Sequence, residues 1–175
     1  MLPEKPYIED TIVACATGGG IGGISVIRVS GIDTEKIAKK IIGDLPEPRI
    51  ATYRKFRNKK NEIIDMGLII FFPSPNSFTG ESVVEFHSHG GPLLGELLID
   101  EIIGLGARRA ESGEFSKRAF LNNKIDLIQA EAIADLISCV TPKSARAAVQ
   151  SLSGTFSELI FELNTKLMNL RLFVE

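Results

Sequence analysis

A change of character near residue 112 limits what this chain can fold into. Before it, short β-branched segments bounded by glycine or proline alternate with amphipathic stretches. From Glu114 onward strand signals disappear and apolar residues recur at spacings of three and four. The pattern reads as an α+β domain with a mixed sheet over residues 1–118, followed over 119–175 by the start of a helical bundle. Strands are expected at 11–16, 24–30, 49–56, 67–72 and 82–89, with a turn at 58–61 and Pro73 and Pro75 ending the fourth. Asp33 is placed to cap a helix through Ile37, Ala38 and Ile41 that Gly43 ends. A second helix is expected over 93–105, where Pro92 suits a helix start. Beyond residue 119, a helix is expected over 126–139. Thr141 then caps a long final helix with an apolar stripe from Ala145 to Val174. Only one other substantial helix can cover that stripe, so the segment reads as an incomplete bundle.

At 175 residues the chain can bury a sizeable core. A net charge of −2 argues against a broad basic surface for nucleic acid, though not against a local patch. Cys15 and Cys139 fit no metal or disulfide spacing. Cys15 lies in an apolar run and reads as a small core residue, and two free thiols suit a reducing cytoplasm. The first ten residues carry no apolar signal region, and no apolar run approaches the roughly 18 residues of a membrane span. A soluble cytoplasmic protein without a membrane partner is expected.

Chemistry-bearing residues concentrate at the ends of apolar elements, in NSFTGESVVEFHSHGGP at 76–92 and SGEFSKRAFLNNKIDL at 112–127. Alternation in VVEFHSH puts Glu85, His87 and His89 on one strand face. Two histidines and a carboxylate there can ligate a metal, or serve as local structural residues. Arg28 stands among apolar strand residues in ISVIRVS and wants a carboxylate, from the protein or from a ligand. Glu85 can answer it as a plain ion pair, or can accept paired hydrogen bonds from a ring amidine such as a pterin. Lys124, before a helix, offers a cation to a carbonyl or carboxylate. Arg108, Arg109, Lys117, Arg118 and Lys124 form a short basic run that contacts nucleic-acid phosphates or is a solvated face.

Two nucleotide motifs fail. Gly18, Gly20 and Gly23 match G-x-G-x-x-G, but a β-branched strand follows instead of a phosphate-binding helix, so a hairpin loop is the better reading. No G-x-x-x-x-G-K-[ST] occurs, so GTP hydrolysis by this chain is not expected.

The order SFTGE, H-x-HGGP, GEF-x-KRAFLN-x-K-x-DL, with DTIVACATGGGIGGISVIRVSG at 10–31 and AEAIADLI at 130–137, closely resembles the MnmE (TrmE) family of tRNA-modification GTPases. The likeness is to the N-terminal folate-binding domain and the first helices of the central domain. It implies an aminomethyltransferase-like fold, homodimerisation, and a 5-formyltetrahydrofolate- or 5,10-methylenetetrahydrofolate-type cofactor. The matching family positions are Arg28, Glu85 and Lys124. It also implies modification of the tRNA wobble uridine (U34) at C5 with the flavoprotein MnmG (GidA) as partner. GTP, Mg²⁺ and K⁺ belong to a nucleotide domain whose motif these residues lack. The family usually has prolines where this chain has Gly18-Gly19. No nucleophile–base pair is found, so cofactor binding is expected rather than catalysis by this chain alone, with no catalytic residue and no metal ligand assigned. A pure dimerisation scaffold and a metal-assisted hydrolase on Glu85, His87 and His89 are the competing readings.

Overall fold

Alternating burial sorts the first hundred or so residues into a sheet with two unlike faces. The computed structural model describes residues 10–18 and 20–174. The signal-region reading of residues 1–9, and Gly19, lie outside the described residues. The elements run β1 (Ile12–Cys15), β2 (Ile24–Ser30), α1 (Thr34–Ile42), β3 (Thr52–Arg57), β4 (Ile63–Phe72), β5 (Val83–His89), α2 (Pro92–Gly104), β6 (Arg108–Arg109), α3 (Glu114–Leu121), α4 (Leu127–Ser138), α5 (Pro142–Leu152) and α6 (Thr155–Val174). A mixed sheet of order β3-β4-β5-β2-β1-β6 is followed by helices, so the class is α+β. The pairing is antiparallel except where β6 joins β1.

The buried face carries Val13 on β1, Ile27 and Val29 on β2, Ile69 and Phe71 on β4, and Val84 and Phe86 on β5. Ile37, Ala38 and Ile41 of α1 and Leu98, Ile99 and Ile102 of α2 complete that core, so both helices cover the same side. Phe56 meets Phe86 edge to face at 5.3 Å between centroids, the arrangement an aromatic quadrupole favours. The opposite face carries Arg28, Glu85 and His87 beside Tyr53, Leu68 and Val26, in register across four strands. Tyr53 and Leu68 are exposed there.

Some of the local expectations hold and others do not. Gly43 ends α1 with φ +86° and its N–H on the Lys39 carbonyl. Asp33 stands at the N-cap but its side chain makes no cap bond. Its backbone is near-helical, so the carboxylate turns toward Lys36 at 3.6 Å instead. The glycine-rich stretch joins the antiparallel strands β1 and β2 as a hairpin and opens no helix. Cys15 corrects the sequence reading: it is exposed, not core. It ends β1 where α2 presents Gly95 and Glu96, leaving a cleft of about 360 Å³ over the sheet end.

The chain splits into two compact units, Met1–Phe115 and Ser116–Glu175. In the second, α4 and α5 start with capping boxes, Asp126 with Gln129 and Thr141 with Ser144. The single long helix expected after Thr141 is two. Gly154, at φ +87°, breaks it between α5 and α6, and the Gln129 side-chain amide donates to the Leu152 carbonyl at the break. Leu159, Phe161, Leu167, Leu170 and Leu172 on α6 are exposed. Among the described residues no helix is long and apolar enough to cross a membrane.

Gly90 shows why HGGP needs glycine. Its N–Cα–C unit lies so close to the β1–β2 hairpin that an added Cβ would stand 2.3 Å from the Gly22 carbonyl oxygen and 2.6 Å from its carbon. The Gly90 carbonyl accepts the Gly22 N–H there. Gly90→Ala is expected to destabilise the chain by about 2–4 kcal/mol, the scale of a backbone clash in a packed region. Urea denaturation measures it, and a loss below about 0.5 kcal/mol would contradict the close approach.

Candidate functional site

Arg28 and Glu85 stand directly opposite each other on β2 and β5, the central pair of the sheet. Each falls on the open face because its neighbours Ile27, Val29, Val84 and Phe86 take the core face. Two guanidinium nitrogens, Nε and Nη2, both approach the same carboxylate oxygen, Glu85 Oε1, at 2.8 Å. The guanidinium carbon lies 5.9 Å from the Phe78 ring centroid and 5.7 Å from that of Phe115, close enough for cation–π attraction. The pair is mostly buried, the Glu85 side chain being 15% exposed.

The second carboxylate oxygen is not used in the same way. Glu85 Oε2 lies 3.5 Å from His87 Nε2, and that nitrogen is buried with no hydrogen-bond partner. One oxygen of Glu85 is therefore tied down by arginine while the other faces an unsatisfied ring nitrogen. A site of this kind can accept a hydrogen bond from a ligand N–H without losing its ion pair.

His89 is drawn elsewhere. Its Nδ1 meets Asp65 Oδ1 at 2.8 Å, and its backbone N–H donates to Asp65 Oδ2 at 2.8 Å. Burial pushes the Asp65 carboxyl up, but the His89 amide, its imidazole and the Met66 amide outweigh that and hold it below the ordinary range. The two histidines thus part ways: His89 is bound to Asp65, while His87 lies near Glu85 without a hydrogen bond. Among the described residues no group of three His, Cys, Asp or Glu side chains comes together to hold a metal ion.

Lys124 belongs to the helical unit. Helix α3 ends in a Schellman motif: the Lys124 N–H donates to the Ala119 carbonyl and the Asn123 N–H to that of Phe120, with Asn123 at φ +55°. That geometry accounts for the second asparagine of FLNNK, Asn123, and fixes the backbone of Lys124.

Comparison with known proteins gives the family. A family model described as "GTP-binding protein TrmE N-terminus" matches residues 11–124, which hold Arg28, Glu85 and Lys124. The chain is 53% identical over 166 residues to a "tRNA modification GTPase MnmE" of Coxiella burnetii, covering 95% of this chain and 36% of that protein. Proteins of the same name from Nitrosomonas eutropha and Proteus mirabilis are each 52% identical, over 95% and 97% of this chain and 37% of theirs. This chain belongs to the TrmE family. It spans little more than a third of the length of these MnmE relatives.

Much of what marks a TrmE sequence has a structural use here that pattern reading did not assign. In SFTGE, the buried Ser30 hydroxyl bonds Thr79 Oγ1 and Glu81 Oε2, each at 2.7 Å, bracing the loop against the end of β2. The Ser82 hydroxyl reaches Glu35 of α1 at 3.1 Å. Asp65 and Ser30 were the residues that sequence reasoning missed. A buried Asp in an apolar strand, of the same kind as Glu85, was the signal for the first.

The basic run is largely consumed within the fold. Arg108 meets Asp10 at 2.6 Å and grips both oxygens of Glu114 at 2.6 and 2.8 Å, and these carboxylates push its pKa further up. Arg109 pairs with Glu96 and Asp100, and Arg118 is buried. Arg108 and Arg109 remain exposed beside their carboxylates, as a solvated face requires, whereas Arg118 is buried and leaves that face.

Asp65 generates a pH prediction. Its folded pKa lies below the ordinary 3.8, so its contribution is complete above that value and is lost as pH falls through the folded pKa. Asp65→Ala is expected to cost about 1–3 kcal/mol at about pH 7, with the difference from wild type shrinking as the pH drops below about 4. Urea titrations across that range measure it, and a difference independent of pH would contradict the assignment.

Proposed function

We propose that this chain is the reduced-folate-binding and dimer-forming part of an enzyme that modifies the wobble uridine (U34) of tRNA at C5. The observation that carries this reading is the half-engaged carboxylate of Glu85. Arg28 holds one oxygen, while Oε2 and the orphaned His87 nitrogen are left for a ligand edge. A tetrahydrofolate of the 5-formyl or 5,10-methylene type fits this chemistry. Its pterin edge presents N–H and amino donors, for which a buried charged acceptor is the natural complement. Phe78 and Phe115 beside Arg28 offer aromatic surface for the flat part of such a molecule.

In this reading Glu85 binds and orients the pterin, Arg28 fixes the Glu85 carboxylate, and Lys124 supplies a cation for a carbonyl or carboxylate of the ligand. Bound folate supplies the one-carbon unit that becomes the methylene at uridine C5. The chain's own residues bind and orient, and the redox step falls to a flavin on MnmG, the proposed partner. A second copy of the chain is the proposed cover for exposed apolar residues of the open sheet face, such as Tyr53, Met66 and Leu68. The tRNA substrate takes its support from the names of the relatives, and a cytoplasmic location is part of the same proposal.

The plain ion pair favours a second reading, a dimerisation scaffold in which Arg28 and Glu85 only satisfy each other. Isothermal titration of 5-formyltetrahydrofolate separates the two. Arg28→Ala, Glu85→Ala and Lys124→Ala are each expected to weaken binding about tenfold or more, the loss of a charge-assisted hydrogen bond of about 1.5–3 kcal/mol. A folded, dimeric chain that binds no folate would leave only the scaffold.

A further inference from the structure

We propose that His87 is a ligand-contacting residue that selects for the 4-oxo group of the pterin, a specificity determinant beside Glu85. This rests on the folate reading above and adds to it the group on the ligand that is recognised. His87 lies on β5 between Val26 of β2 and Leu68 of β4, two apolar neighbours that offer its ring no hydrogen bond. Its Nε2 is buried and unpartnered, and an unsatisfied polar atom of that kind weighs against the fold unless something else uses it. The nearest charged group is Glu85, 3.5 Å away at Oε2, and Arg28 faces the same carboxylate from the other side.

With the imidazole proton on Nε2, the ring is a donor at that atom. An acceptor (Oε2) and, just beneath the surface beside it, a donor (Nε2–H) then lie 3.5 Å apart. A 4-oxopterin edge runs in the complementary order: the 2-amino and N3–H groups donate, and the adjacent 4-oxo oxygen accepts. Glu85 takes the donors and His87 donates to the oxygen. A 4-aminopteridine replaces the carbonyl by an amino donor and turns N3 into an acceptor. It therefore mismatches a fixed N–H and leaves it unsatisfied.

The test titrates 5-formyltetrahydrofolate and the 4-amino analogue aminopterin into the wild-type chain, His87→Leu, His87→Gln and Glu85→Ala. His87→Leu is expected to weaken 5-formyltetrahydrofolate about tenfold and to leave aminopterin within about threefold, erasing most of the 4-oxo preference. His87→Gln, whose amide keeps an N–H donor, is expected to retain that preference. The Tm of ligand-free His87→Leu should equal or exceed that of wild type, since the substitution removes an orphaned polar atom. A residue with only a structural role would lower it.

Unchanged 5-formyltetrahydrofolate binding in His87→Leu, with Glu85→Ala still weakened, would overturn the role of His87 and leave the folate reading standing. No folate binding by the folded wild-type chain would sink both. If His87→Leu does not fold, the imidazole ¹⁵N resonances of wild-type His87 decide: the Nε2–H signal should move on addition of 5-formyltetrahydrofolate, and an unmoved signal overturns the proposal.

Discussion

The antiparallel pairing of β2 with β5 sets where every candidate ligand contact lies. In this register Arg28 faces Glu85, Ile27 faces Phe86 and Val26 faces His87. Side chains alternate with a period of two, so a slip of β2 by one residue would turn Arg28 into the core and expose Ile27, and a slip of β5 would do the same to Glu85 and Phe86. Both ends of the pair are locked. At one end Gly90 approaches the Gly22 carbonyl too closely for any Cβ. At the other, Ser30 is clasped by Thr79 and Glu81 in a buried hydroxyl and carboxylate cluster. The core helices α1 and α2 then press on one face only, which leaves the ion pair on the other.

The strongest motifs therefore divide their labour. SFTGE and HGGP mostly hold the strands in place, through Thr79, Glu81, His89 with Asp65, and Gly90. FLNNK ends a helix through the left-handed Asn123. Beside the ion pair on the open strand face stand one oxygen of Glu85 that arginine does not hold and one orphaned nitrogen of His87. A carboxylate oxygen beside a buried ring nitrogen is a pairing that a ring edge with adjacent hydrogen-bonding groups can answer.

Strand positions were legible because β-branched runs with alternating polarity carry their own period, and glycine and proline mark their ends. The site face was legible for the same reason: Glu85, His87 and His89 share a parity. Other features were not. The two-residue β6 is purely charged and pairs in parallel with β1, a contact with no local signal. The break between α5 and α6 depended on Gly154 adopting φ +87°, whereas a glycine inside an apolar periodic run is often tolerated as helix. Cys15 sits in an apolar run yet is exposed, because its cover depends on which residues α2 presents above it.

By itself the sequence determined the class of fold, the family, and the residue types available for a ligand. Those follow from local periodicity and from motifs whose residues are neighbours along the chain. The tertiary structure decided which of those residues are spent. It bound His89 to Asp65, 24 positions away, and bound Arg108 to Asp10 across 98, and it left His87 Nε2 without a partner. Hydrogen bonds and ion pairs act over about 3 Å of space. Only the folded sheet determines which distant carboxylate lies within that reach.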